Sequence, residues 1–163
     1  MLWKFIYWPV VWLFIFLPAF IDPKLLPGGW LIASRIAGIP LLFLSLFLTS
    51  TGGRTLARYA HQKPRETIWS DKFTEFGIFS CMRHPMHLGL AIAPLSVALL
   101  SGWVWAIWGC GWGVAAAYWF VLHIEEKDVL EKFGAAYSDY MLRVPPFSLK
   151  PGCIKEGLKI WKP

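Results

Sequence analysis

The chain reads as an all-α integral membrane protein of about four transmembrane helices, the last two forming a hairpin, followed by a cytosolic amphipathic C-terminal helix. Three observations predict this. The 163 residues are 56% hydrophobic and only 16% charged, with 11 Trp and 12 Phe, too apolar and too poor in charge for an ordinary soluble domain of that length. The Lys and Arg residues lie between long apolar runs. Those runs have the length a helix needs to cross the hydrocarbon core of a bilayer. A net charge of +6 raises the question of a nucleic-acid partner. The basic residues do not line one soluble face, so they read as charges that orient a membrane protein, and no nucleic acid is expected.

The first apolar run, Phe5 to Ile21, is bounded by Lys4 and Asp22 and as a helix would be roughly 25 Å long. Pro9 and Pro18 stand near its ends, where they do least harm. Lys4 is its only flanking cation and no small-x-small site follows Phe20, so it reads as a span rather than a signal peptide. Asp22 to Gly29 is a Pro- and Gly-rich turn. A second span runs from Trp30 to about Thr49, with Arg35 snorkelling to the interface, Pro40 as a kink and Gly52-Gly53 as its end. Residues 1–50 are thus two N-terminal spans.

Residues 51–87 form a cytosolic loop that carries Arg54, Arg58, Lys63, Arg65, Lys72 and Arg83. The apolar run over 88–122 is too long for one span and is interrupted at Ser101-Gly102, which predicts a helical hairpin; its first arm is short unless it starts at Pro85, a favourable first-turn residue, or is met by tilt or bilayer thinning. Residues 123–163 supply the C-terminal helix and tail. There Val129, Leu130, Phe133, Ala136, Tyr137, Tyr140 and Met141 recur at helical spacing beside charged residues. Ile154, Leu158 and Trp161 alternate with Lys155, Lys159 and Lys162, suited to an anionic membrane surface or to a frayed tail. The whole is one membrane domain. All but Lys24 and Arg35 of the 16 Lys and Arg residues then fall on one side, which predicts both termini and the polar segments in the cytoplasm. Cys81, Cys110 and Cys153 are far apart without a C-x-x-C pair, so they are expected as reduced thiols.

Against this apolar frame, Arg83-His84-Pro85-Met86-His87-Leu88-Gly89 is a polar knot at a membrane boundary, where such groups are costly without a role. A hairpin that enters after His87 and returns at His123 brings Glu125-Glu126 to the same face, since packed antiparallel helices lie about 8–10 Å apart. His84, His87, His123 and the two carboxylates would suffice for a metal. However, His84-Pro85 does not place the imidazoles on one helical face and no H-E-x-x-H pattern occurs, so no metal is expected. No phosphate-cradling Gly loop or nucleophile elbow is present. The carboxylates and the guanidinium instead suit a zwitterionic or cationic ligand, with helix-start acids as the plain alternative for Glu125-Glu126.

Gly77-Ile78-Phe79 followed by Arg83 to Gly89 resembles the G-x-[FY]…R-H-P-x-Y-x-G signature of the isoprenylcysteine carboxyl methyltransferase and phospholipid methyltransferase superfamily. Glu125-Glu126, Leu130, Phe133-Gly134, Tyr137, Tyr140 and Val144-Pro145 resemble its second signature. The resemblance covers residues 74–147. It implies a membrane methyltransferase whose S-adenosylmethionine sits at the cytosolic face, held by His84, Pro85, His87, Gly89, Glu125, Glu126, Tyr137 and Tyr140, with Arg83 and Arg143 orienting the acceptor. The acceptor implied is a membrane-embedded or lipid-like molecule, an isoprenylcysteine-type carboxylate among the options. His87 replaces the family's Tyr, and Pro146 stands where an Arg is frequent, leaving Arg143 as its substitute. An NADPH-dependent membrane reductase and a non-catalytic scaffold that keeps the fold are the rival readings. Oligomeric state is not legible.

Overall fold

The computed structural model of the chain describes residues 3–62 and 70–161, with side chains from Ile6 onward. Lys63, Arg65 and Lys162, counted above among the cytosolic charges, lie outside the described residues. Regular structure among the described residues is helical: α1 (Trp3–Ile21), α2 (Gly28–Tyr59), α3 (Pro85–Ser101), α4 (Val104–Phe120), α5 (Glu126–Phe133), α6 (Ala135–Arg143) and α7 (Pro151–Leu158). A 3-10 turn, Gly77–Ser80, precedes α3. A π-helical stretch, Val121–Glu125, joins α4 to α5, and a second 3-10 turn, Lys159–Trp161, follows α7. Two helices, Gly28–Tyr59 and the continuous Val104–Phe133, are long and apolar enough to cross a membrane, and α1 and α3 are shorter apolar helices. Among the described residues the protein is thus all-helical, with two candidate membrane-spanning helices.

The chain divides into two compact units, Met1–Leu46 with Gly89–Phe120 and Phe47–Leu88 with Val121–Pro163. In the first, α1 packs on α4 around Val11, Ile15, Ala19, Ala98, Ala106, Cys110 and Ala116. Small residues let the backbones meet, as the G-x-x-x-G spacing of Gly109 and Gly113 does between membrane helices. A Cβ on Gly109 would lie 2.8 Å from the Ile15 carbonyl oxygen. Tyr7 stacks on Phe120 at 4.2 Å between ring centres and donates its hydroxyl to Ala116 O at 2.8 Å. At one end of this unit the turns meet through an isolated antiparallel bridge between Leu25 and Trp103. Leu26 N donates to Gly102 O and Val104 N to Lys24 O, each at 2.9 Å. Gly102 turns the chain with φ +74°, a conformation that disfavours any Cβ. Arg35, expected to snorkel, has its Nε 3.2 Å from Leu100 O, where it satisfies a carbonyl in the last turn of α3.

In the second unit α2 runs past the Gly52-Gly53 pair expected to end it. A Cβ on Gly52 would stand 2.6 Å from Met86 Cγ and 3.2 Å from Pro85 Cγ, so this glycine serves close packing and not termination. The helix ends at Tyr59, and Ala60 O accepts Asp71 N and Lys72 N at 3.0 and 3.1 Å. The single C-terminal amphipathic helix read from periodicity is two helices. Gly134, at φ +57°, breaks it between α5 and α6. The tail is docked: Cys153, Gly157 and Ile160 are buried, while Ile154, Leu158 and Trp161 are exposed. Trp161 Nε1 donates to Thr51 Oγ1 at 3.2 Å, and the Arg54 guanidinium lies 3.7 Å from the Trp161 ring centre. Cys81 and Cys153 are joined by a disulfide, their Cα atoms 5.7 Å apart, which corrects the expectation of reduced thiols at both positions. Their separation of 72 positions in the chain hid the pairing, because nothing local predicts that the tail folds back on the turn before Arg83. Cys110 is free and buried.

Candidate functional site

The site lies wholly in the second unit and is assembled by proline-directed turns. Pro85 occupies the first position of α3, where a missing N–H costs nothing, and His84 O accepts Leu88 N at 3.0 Å. Val144 is extended, φ −119° and ψ 125°, as a residue before proline prefers. It ends α6 and leads into the irregular Val144-Pro145-Pro146 segment. Two backbone bonds join this segment to the knot: Arg83 N to Pro145 O and His84 N to Pro146 O, both 3.0 Å.

Side chains complete the junction. Arg83 donates from Nε to Glu126 Oε1 at 2.9 Å and from Nη2 to the same oxygen. Its Nη1 donates to Met141 O at 3.0 Å and to Val144 O. His84 Nε2 is 3.1 Å from Glu126 Oε1, and the Tyr137 hydroxyl is 3.4 Å from the same nitrogen. Arg83, His84 and Glu126 are 9%, 5% and 6% exposed, so the ion pair sits where a lone charge would be strongly disfavoured. The π-helical stretch shifts the register just before this carboxylate; such bulges recur at functional sites. Every hydrogen bond to Glu126 among the described residues reaches Oε1, and Oε2 accepts none.

The aromatic shell is equally directed. Tyr140 donates to Phe79 O and stands 3.5 Å from Met82 O, which pins the turn leading into Arg83. Phe73 lies 5.3 Å from Tyr140 and 6.1 Å from Tyr137 between ring centres. Burial, reinforced by the nearby Glu126 carboxylate, pushes the Tyr137 hydroxyl above its ordinary pKa. Burial does the same for Tyr140, so both remain neutral donors.

Of the residues expected at the site, Arg83, His84, Glu126, Tyr137 and Tyr140 belong to this buried network. Pro85 is fully buried at the start of α3. The His87 ring is 5.6 Å from that of His84, edge to face. Glu125 is half-buried at the end of the π-helical stretch. Two stand elsewhere. Arg143 is exposed and pairs with Glu75 at 3.0 Å. Gly89 falls in the other compact unit, where its carbonyl accepts the Ser45 hydroxyl at 2.8 Å. Phe73 and the carbonyls of Met141, Pro145 and Pro146 were not anticipated. The Val-Pro-Pro sequence was the available signal, because it forces extended backbone whose carbonyls must find donors.

A family described as phospholipid methyltransferase matches residues 33–136, a stretch that includes Arg83, His84, Glu125 and Glu126 and stops just before Tyr137. No curated protein and no solved structure matches the chain.

Proposed function

The chain belongs to the phospholipid methyltransferase family, and we propose that it transfers a methyl group from S-adenosylmethionine to a membrane-embedded or lipid-like acceptor at the cytosolic face. The observation that carries this reading is the half-engaged Glu126 carboxylate. Its Oε1 is held by Arg83 and His84, which presents Oε2 in a fixed direction for the ammonium or ribose hydroxyls of the cofactor. Glu125 supplies a second carboxylate beside it. His84 and His87 face the nucleoside or carboxylate of the cofactor, and the phenols of Tyr137 and Tyr140 close the site.

The cofactor's sulfonium supplies an already activated methyl group, so the protein's task is alignment and exclusion of water. A buried junction whose Arg83, His84 and Glu126 side chains hold one another in place suits that task. Arg83 acts in it as a positioning residue: its donors go to Glu126 and to the end of α6, so we assign it to holding the carboxylate and not to gripping an anionic acceptor. Arg143, on the exposed side of α6, is the remaining cation for an acceptor such as an isoprenylcysteine-type carboxylate. Titration of the detergent-solubilised full chain with S-adenosylhomocysteine is the direct test. Binding at micromolar concentration, lost in Glu126→Gln, is expected. A folded sample that binds none overturns the cofactor assignment.

A further inference from the structure

The mechanism above leaves one reactive group unused, the Cys81–Cys153 pair. Cys81 stands two residues before Arg83, directly after the 3-10 turn. Its N–H donates to Ile78 O at 3.3 Å, and Met82 N donates to the same carbonyl at 3.2 Å. Cys153 is on the first turns of α7 and is 2% exposed, whereas Cys81 is half-exposed and is the sulfur an exchanging reagent meets first. The tail has docking contacts besides the disulfide. Gly157 packs on Phe47 and Thr51, and Trp161 bonds Thr51 and carries Arg54. Breaking the sulfur–sulfur bond therefore loosens the turn before Arg83 while leaving α7 a place to return to.

We propose that Cys81 and Cys153 form a reversible thiol modification site, exchanged with low-molecular-weight disulfides such as oxidised glutathione, whose state sets the order of residues 77–84. The Cα separation of 5.7 Å is within the range that closes a disulfide without backbone movement. The basic residues gather on this side of the chain, the side the positive-inside rule assigns to the cytoplasm, where resting thiols are reduced and disulfides are transient. In the forward direction the Cys81 thiolate attacks one sulfur of the small disulfide, forms a mixed disulfide and releases one thiolate. The Cys153 thiolate then displaces the second. Two protein thiols lose two electrons and two protons to the small disulfide, which leaves as two thiols, and excess small thiol drives the reverse.

The effect on the cofactor rests on the methyltransferase reading; the modification site itself does not. The test uses the full chain in lipid nanodiscs, equilibrated with glutathione at fixed ratios of reduced to oxidised form. Free thiols are trapped with a maleimide under denaturing conditions and counted by intact mass. The count is expected to pass from three to one, Cys110 alone, across the glutathione range. Three thiols at every ratio, or one at every ratio, overturns the proposal. Amide exchange over residues 77–84 is expected to be at least about tenfold faster in the reduced protein and in Cys153→Ser than in the oxidised protein. Equal rates overturn it, and the reduced wild type carries this comparison if the variant does not fold. The oxidised form should bind S-adenosylhomocysteine about tenfold more tightly, and equal affinities overturn the link to the site. If thiol count and exchange respond while neither form binds the nucleoside, the redox site stands and the methyltransferase reading falls.

Discussion

Arg83 uses its guanidinium in two directions at once, toward Glu126 and toward the Met141 and Val144 carbonyls. No lysine does that, because an ammonium is a point charge on a flexible stem and lacks the rigid fork. Arg83→Lys should keep the charge opposite Glu126 and lose the hold on the end of α6. Glu126→Gln should do the reverse, leaving a buried guanidinium without its counter-charge, a change that typically costs about 3–5 kcal/mol. Thermal unfolding of both variants in the same detergent checks this: both should melt below wild type, Glu126→Gln by more. A Glu126→Gln protein as stable as wild type would mean that the ion pair is screened and that Arg83 does not position the carboxylate.

At the scale of elements, the contact between α1 and α4 separates two glycines that look alike in sequence. At Gly109 an added Cβ meets Ile15 backbone, with the oxygen at 2.8 Å, whereas at Gly113 it meets the far end of the Ile15 side chain, Cδ1 at 2.4 Å. A rotamer moves and a backbone does not, so Gly109→Ala should lose about 1–3 kcal/mol and Gly113→Ala clearly less; paired melting curves in detergent measure the difference. The same distinction explains what was legible beforehand. The break at Ser101-Gly102 follows from local chemistry and was readable, and the start of α3 at Pro85 was one of the two options that the short first arm left open. Gly52-Gly53 read as a helix end because glycine is a poor helix former, yet the close approach of Pro85 and Met86 is a tertiary fact that no local rule contains. Gly134 was the opposite case: it lay inside a convincing apolar periodicity, and only its positive φ divides α5 from α6. At the site, the meeting of the Arg83 knot with Glu126 was legible from the return of the chain, whereas the inward turn of the guanidinium depends on carbonyls that Val144-Pro145-Pro146 exposes.

For the whole molecule the open quantity is the number of crossings, and the turns decide what to expect. Helices of 19 and 17 residues, α1 and α3, are roughly 28 and 25 Å long, just enough for a hydrocarbon core near 30 Å with modest thinning. The Leu25–Trp103 bridge and its flanking backbone bonds hold residues 24–26 and 102–104 together, so those two turns share one side of the membrane. If the chain leaves that side along α2 and returns to it along α3, α1 and α4 complete four crossings. On the positive-inside rule the shared turns are expected on the non-cytoplasmic side. Alkaline phosphatase fused after Leu26 or after Gly102 should therefore be active, and green fluorescent protein fused at residue 61 or at the C-terminus should fluoresce. The Gly102 fusion is the discriminating one. If only the two long helices cross, residue 102 stays on the side of residue 61, and phosphatase placed there is inactive.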